Sequence, residues 1–381
     1  MAFVKRCSGA SDVPALLFDD GGLPIVIGTE FLSYVSLRGC SPNTVLAYAY
    51  DLAHLWRFFA AAGLTWDKLI PERAPELLMY LRSLRSSRRG SAVGPILATS
   101  EGEPSQALSP RSVNRALAAV SAFYDWAILC GRLDGTNPIL RVTERSAMMA
   151  SDRHRPFLTG IARSDHSAKA LRVRTARRLP RPLDPEQIAK LLSQLRNQRD
   201  LAIVRLMLDG GLRPGEVLGL HLTDVAYGRR RAVVRFRDDH PRGARSKSRT
   251  ERIVDLHEAV TLEAVTAYVM SERPSHATSP ILFLVGGRGS RREEPLSYAA
   301  LVRMFARACE RAGIRAPWVT PHALRHTHAT RMWEAGMREL TLQKRLGHAT
   351  IEATRLYTRV SDAIVVAEYV RALGLGQAEI A

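Results

Sequence analysis

The sequence predicts a mostly α chain with one small antiparallel sheet, an α+β architecture in which an all-helical N-terminal unit precedes a mixed C-terminal one. Three observations carry this. Apolar residues step by three and four through most of the chain, the period of an amphipathic helix. Only two adjacent stretches, "RRAVVRFR" and "TERIVDLH", alternate apolar and polar residues as strands do. At 381 residues, the chain is long enough for two domains, each with its own core.

Residues 1–24 read as an N-terminal arm. In "SPNTVLAYAYDLAHLWRFF", from Ser41, residues Val45, Tyr48, Leu52, Leu55 and Phe59 share one helical face. "SPRSVNRALAAVSAFYDWA", from Ser109, repeats the design with Val113, Leu117, Val120, Tyr124 and Ala127. Each begins with Ser as N-cap and Pro at the first helical position, where a missing N–H costs nothing. "PERAPELLMYLRSLR" reads as a further helix and "SSRRGSAVGPILATSEGEPS" as a loop, which gives an all-helical domain over 25–140. The first-turn residues Asn43, Thr44, Arg111, Ser112, Asn114 and Arg115 are candidates for phosphate contacts, although caps and solvated faces use the same residue types.

Residues 141–182 lack sustained periodicity and carry eleven Lys or Arg against three Asp or Glu, so they read as a basic, extended interdomain linker that can track a phosphate backbone. "LDPEQIAKLLSQL" opens a second domain over 183–360 with a capped helix. "RDLAIVRLMLDGG" follows, ended by paired glycines. The two alternating strands are joined by the basic loop "DDHPRGARSKSR", "ILFLV" at 281–285 is a third strand, and the chain is helical from Tyr298 onward, including a C-terminal tail over 361–381.

Charge narrows the partner. The formal net charge is +18, from 55 Lys and Arg against 37 Asp and Glu, and such a surplus favours a polyanion such as nucleic acid over an ordinary solvated surface. Cys7, Cys40, Cys130 and Cys309 are scattered, with neither disulfide-framework nor zinc-module spacing. No stretch approaches the roughly 20 apolar residues of a membrane span, and no signal sequence is visible. A cytoplasmic, nucleoid-associated protein is expected.

Three patterns carry chemistry. In "GGLRPGEVLGL", Arg213 lies between a Gly-Gly helix stop and Pro214, so its guanidinium projects from a helix N-terminus; an anion contact and an ordinary inter-helix turn both fit. His322 and Arg325 in "HALRHTHAT" share a helix face, able to converge on one oxyanion or to serve as a buried cap. Lys247 in "SKSRTERIV" is the only lysine between Lys190 and Lys344, in a chain with six lysines among 55 basic residues. Unlike arginine it can give up a proton, as a general acid must.

In this order the set resembles the tyrosine recombinase, or phage integrase, family. It has the Gly-Leu-Arg-x-x-Glu box at Arg213 and Glu216, the hairpin Lys before Glu-Arg-hydrophobic at Lys247, His-x-x-Arg at His322 and Arg325, and Leu-Gly-His followed nine residues later by Tyr, at His348 and Tyr357. The "S-P-x-T" helical unit is similar to the family's core-binding domain, and 183–360 to its catalytic domain.

The resemblance implies a site-specific recombinase that breaks and rejoins double-stranded DNA at specific recombination sites, with no cofactor, metal or ATP. Tyr357 would be the nucleophile, Arg213 and Arg325 the phosphate clamp with His348 beside them, and Lys247 the acid for the leaving oxygen. His322 would accept the tyrosine proton or support the phosphate, and Glu216 would orient an arginine or histidine. It further implies a homo-tetramer on synapsed DNA, possible accessory DNA-bending or partner recombinase proteins, and a tail docking on a neighbour or on its own domain. Three other readings remain: a metal-dependent nicking enzyme using His326 and His328, a noncatalytic DNA-binding regulator on the same fold, and a type IB topoisomerase.

Overall fold

A computed structural model describes residues 1–7, 13–85, 107–139, 141–143, 167–169, 171–175, 181–237, 240–243, 251–348 and 350–354. The chain divides into two compact units, Met1–Arg177 and Arg178–Ala381.

The first unit is built on four helices, α1 (Val26–Leu37), α2 (Pro42–Ala62), α3 (Ala74–Ser83) and α4 (Pro110–Leu129). Both Ser-Pro starts behave as their chemistry requires. Ser41 accepts from the N–H of Thr44, and Ser109 from that of Ser112, so each helix has one otherwise orphaned donor satisfied. The periodic faces meet in an aromatic centre. Phe123 packs edge-on against Phe31 at 5.6 Å and against Trp56 at 5.5 Å, and the buried Tyr124 donates its hydroxyl to the Trp66 carbonyl at 2.6 Å.

Two additions lie outside the helical reading. Residues Phe3–Arg6 (β1) and Ala15–Phe18 (β2) pair antiparallel and bury Ala15 and Leu17 in the same core. In the stretch expected to be a plain linker, Arg141–Thr143 (β3) pairs with Ser167–Lys169 (β4). Further along it, Asn114 of α4 grips Val173, donating to its carbonyl at 2.8 Å while accepting from its N–H at 2.9 Å. Residues 171–175 are thus fastened to α4, because a primary amide can satisfy both backbone groups of an extended residue at once.

The second unit carries α5 (Pro185–Ser193), α6 (Gln198–Leu208), α7 (Pro214–Leu218), α8 (Ala259–Ser271), α9 (Tyr298–Arg311), α10 (Pro321–Glu334), α11 (Glu339–Leu346) and α12 (Ile351–Thr354). Asp184 and Gln187 close a capping box over α5. The sheet is antiparallel in the order β5 (Val225–Ala226), β6 (Arg231–Val234), β7 (Arg252–Asp255), with Val234 opposite Arg252 where the hairpin opens.

The expected third strand at 281–285 is a correction. Its place beside β6 is taken by the two-residue β5, and Ile281–Leu284 run buried through the core, held by isolated bridges to His221 and Pro295 and by the Tyr268 hydroxyl, which accepts from the Leu284 N–H. A continuous apolar run reports burial on all sides. It does not report a ladder. Among the described residues, no helix is long and apolar enough to cross a membrane.

The grip of Asn114 on Val173 is testable. Asn114→Ala should speed tryptic cleavage after Arg172 and Arg174, followed by mass spectrometry of the peptides, while the helical core stays folded. Unchanged cleavage at those two sites would contradict the docking.

Candidate active site

The site grows from one turn. Gly210 and Gly211 end α6; Gly211 has φ +65°, and a Cβ there would lie 2.5 Å from the His328 ring, so conformation and space both demand glycine. The chain then enters α7 with Arg213 as N-cap and Pro214 as first helical residue. Glu216, one turn in, accepts from the Arg213 N–H at 2.8 Å and from its guanidinium Nη1 at 2.7 Å, which ties the box's two charged residues together.

Glu216 has a fully buried side chain, and three guanidiniums surround it. Arg252, at the start of β7, takes both carboxylate oxygens, Nη1 to Oε1 at 2.9 Å and Nη2 to Oε2 at 2.7 Å. Arg325 stands off at 3.8 Å from Oε2. Burial alone would raise the Glu216 pKa, but the hydrogen bonds and charge of Arg252, followed by the charges of Arg325 and Arg213, hold it down at about 2.

The same three arginines converge on the C-terminal end of α11. Arg252 Nε donates to the Arg345 carbonyl at 3.0 Å, Arg325 Nη2 to that of Leu346 at 2.6 Å, and Arg213 Nη2 to that of Gly347 at 3.0 Å. These are successive carbonyls at the negative end of a helix, which cations satisfy well. Gly347 turns the chain out of the helix at φ +63°, with Arg252 so close that a Cβ would sit 2.8 Å from its Nη1. His348 comes next, its Nδ1 2.9 Å from the Thr354 hydroxyl. Burial, then the charges of Arg325, Arg213 and Arg252, push its pKa down to about 3. At neutral pH it is an uncharged imidazole beside concentrated positive charge.

On α10, Arg325 is 4% exposed and also donates to the Gly211 carbonyl at 2.6 Å. His322, one turn earlier, is exposed at the start of the helix. His326 is half-buried, its pKa lowered to about 4 by burial and then by His322 and Arg325. His328 is buried with both ring nitrogens committed: Nδ1 faces the Leu208 carbonyl at 2.9 Å, and Nε2 receives the Arg345 Nε–H at 3.0 Å. The ring is therefore neutral, protonated at Nδ1, and closed to a metal ion, which removes the His326/His328 ligand pair. Among the described residues, no group of three or more metal-ligating side chains comes together.

The structure thus brings Arg213, Glu216, Arg325 and His348 into one centre, with His322 at the solvent end of α10. Lys247 and Tyr357 lie outside the described residues. Of the first-turn residues in the N-terminal unit, Asn43 and Arg111 are exposed, and Thr44 and Ser112 face the capping hydroxyls of Ser41 and Ser109. Asn114 is spent on Val173. Arg115 is spent on the buried Asp51, contacted through Nε and Nη2 at 2.9 Å each. Sequence reasoning missed Arg252 and Arg345. Arg252 stood in view within "TERIV", on the strand face of the buried Val254 and Leu256, but no local pattern names its partner Glu216.

Residues 181–363 match the profile of the Phage integrase family, and residues 29–131 that of the Phage integrase N-terminal SAM-like domain, together about three quarters of the chain. The chain belongs to the tyrosine recombinase, or phage integrase, family.

Among individual relatives, Transposase A from transposon Tn554 of Staphylococcus aureus is 27% identical over 335 residues, covering 87% of each chain. Tyrosine recombinase XerC of Caldanaerobacter subterraneus subsp. tengcongensis is 26% identical over 340 residues, covering 87% of this chain and 82% of that one. In fold, the chain is similar to the Tn1549 transposon integrase in complex with transposon right end DNA (TM-score 0.59, 20% identity, 91% of this chain and 99% of that one). It is also similar to the XerH site-specific recombinase bound to palindromic difH substrate (TM-score 0.58, 16% identity, 89% and 82%).

Two outcomes follow from the packing. Gly211→Ala should cost roughly 1–3 kcal/mol, the range for a residue forced into sparsely populated backbone space, read by denaturant unfolding. The pH dependence has a definite sign. Above pH 6.5, His326, His328 and His348 are neutral folded or unfolded. As pH falls from 6.5 toward their folded values of about 4, 3 and 3, only the unfolded chain gains protons, so stability is lost. Glu216, depressed from 4.5 to about 2, adds stability above pH 4.5 that disappears as pH drops through that window. The melting temperature should be level from pH 8 to 7 and fall steadily below 6.5; a level curve down to pH 4.5 would contradict these environments.

Proposed function

We propose that this chain is a site-specific DNA recombinase that cleaves and rejoins strands through a covalent 3′-phosphotyrosyl intermediate. The observation that carries the reading is the convergence of Arg213 and Arg325 on one buried carboxylate and on the helix end from which His348 leaves, in a chain belonging to the tyrosine recombinase family.

Arg213 and Arg325 hold the nonbridging oxygens of the scissile phosphate and stabilise the charge of the pentavalent transition state. His348 adds a hydrogen bond. As a neutral ring it can donate from Nε2 when Nδ1 accepts from the Thr354 hydroxyl, and an entering phosphate would offset the arginine charges that depress its pKa. Tyr357 Oη forms a bond to phosphorus as the bond to the 5′-oxygen breaks. Lys247 delivers a proton to that oxygen, and His322 accepts the tyrosine proton or supports the phosphate. The phosphotyrosine retains the bond energy, so rejoining to a second strand consumes no ATP. With two arginines and a lysine supplying positive charge, the reaction as proposed calls for no divalent ion.

Relatives named as transposase and tyrosine recombinase favour strand exchange over a noncatalytic regulator or a type IB topoisomerase. Movement of a mobile element and resolution of circular DNA both use this chemistry. Solved relatives of this fold bound to DNA support duplex DNA as the partner. A homo-tetramer on two synapsed sites, helped by accessory DNA-bending or partner recombinase proteins, completes the reading. The basic stretch 141–182 as a backbone-tracking segment between a core-binding and a catalytic domain belongs to the same proposal, as does a cytoplasmic, nucleoid-associated setting.

The test is a suicide DNA substrate that traps the covalent species. Wild-type protein should accumulate a protein–DNA adduct in excess EDTA, and Tyr357→Phe should lose it while its DNA dissociation constant stays within about threefold, since the hydroxyl is one contact among many phosphate contacts. An undiminished adduct in the Phe variant, or its loss with EDTA, would refute this mechanism.

A further inference from the structure

Arg252 makes three side-chain hydrogen bonds in the centre, yet neither the Glu-Arg-hydrophobic signature that contains it nor the strand reading gives it a task. Its guanidinium takes both oxygens of Glu216, its Nε caps the Arg345 carbonyl, and its side chain lies against Gly347, immediately before His348. It is 8% exposed, with all three of its N–H-bearing nitrogens committed to protein acceptors. Arg325, by contrast, is held by the Gly211 and Leu346 carbonyls, at 3.8 Å from Glu216 Oε2, beyond hydrogen-bonding range.

We propose that Arg252 is a positioning residue for strand cleavage: by saturating the Glu216 carboxylate, it keeps Arg325 and most of the Arg213 fork from closing on that carboxylate and leaves them for the scissile phosphate. This rests on the recombinase reading above. The guanidiniums compete for one carboxylate. An ionised carboxylate offers about four lone-pair sites, and in a buried setting it draws any cation within reach. Arg252 fills two of those sites in parallel, Arg213 fills two through its N–H and Nη1, and none is left for Arg325. Without Arg252, the two oxygens would regain acceptor capacity, and the nearest further cation is Arg325, one short side-chain shift away. Its guanidinium would then neutralise a protein carboxylate instead of the phosphate. Lysine could supply the charge but not the two parallel donors plus the third to the Arg345 carbonyl.

This role separates from simple structural support through a double-mutant cycle on single-turnover cleavage of the suicide substrate. Arg252→Met should slow cleavage by about 100-fold, on the scale of losing one preorganised oxyanion donor, with DNA affinity within about threefold of wild type. Arg252→Lys should fall between the two. In a Glu216→Gln background the carboxylate that Arg252 restrains is gone, so adding Arg252→Met should cost less than about fivefold further, the mark of two residues acting as a unit.

If Arg252 only props the α11 turn, its loss will cost the same in the wild-type and Glu216→Gln backgrounds, and equal costs overturn the proposal. Should Arg252→Met alone fail to fold, the comparison of Glu216→Gln with the charge-neutral double variant still decides. A wild-type protein that forms no adduct would instead defeat the recombinase reading, so the two failures are distinguishable.

Discussion

The second unit depends on one buried carboxylate. Glu216 is fully enclosed, accepts four hydrogen bonds from Arg213 and Arg252, and has Arg325 close behind. Burying an ion costs several kcal/mol, and a good partner returns that cost at best, so such a knot is a poor way to gain stability. It is a good way to fix geometry. Leaving the carboxylate without its cations would cost about 3–5 kcal/mol, which makes any other arrangement of the arginines expensive. Three guanidiniums against one carboxylate also leave the centre with an excess of positive charge, in a place where a phosphodiester could balance it.

The end of α11 is the second organiser. Its last carbonyls meet the same three guanidiniums in sequence, Arg345 with Arg252, Leu346 with Arg325 and Gly347 with Arg213. Arg213 and Arg252 are therefore held from two sides, by the carboxylate and by the negative end of a helix, Arg325 is held by that helix end and the Gly211 carbonyl, and the chain leaving the helix begins with His348. Behind it, Arg345 donates to His328, whose ring packs on Gly211, whose carbonyl in turn accepts from Arg325. Segments far apart in the sequence, at 211–216, 252, 325–328 and 345–348, form one closed circuit. Its histidines are neutral because burial and the surrounding arginines exclude another positive charge.

What could be read from the residues alone divides along locality. The α2 and α4 helices were legible because their start signals and apolar steps lie within one segment, and β6 and β7 because alternation does too. Residues 281–285 misled because an unbroken apolar run records burial without direction. The β1–β2 pair and the docking of Val173 depend on partners that no local pattern names. Within the centre, Arg213, Glu216, Arg325 and His348 were legible through their order and spacing. Arg252 was not, because its meaning comes from Glu216, 36 positions away, and Arg345 was hidden for the same reason behind His328. Asn114 and Arg115 show the converse: first-turn polar residues that suit a phosphate equally suit an internal amide clamp or a buried aspartate.

A recombinase of this kind is defined by the bond that joins it to DNA. Protein trapped on a suicide substrate, digested and sequenced by tandem mass spectrometry, should yield one modified peptide, carrying a nucleotide joined through its 3′-phosphate to Tyr357. A nucleotide on another side chain, or one joined through a 5′-phosphate, would contradict it.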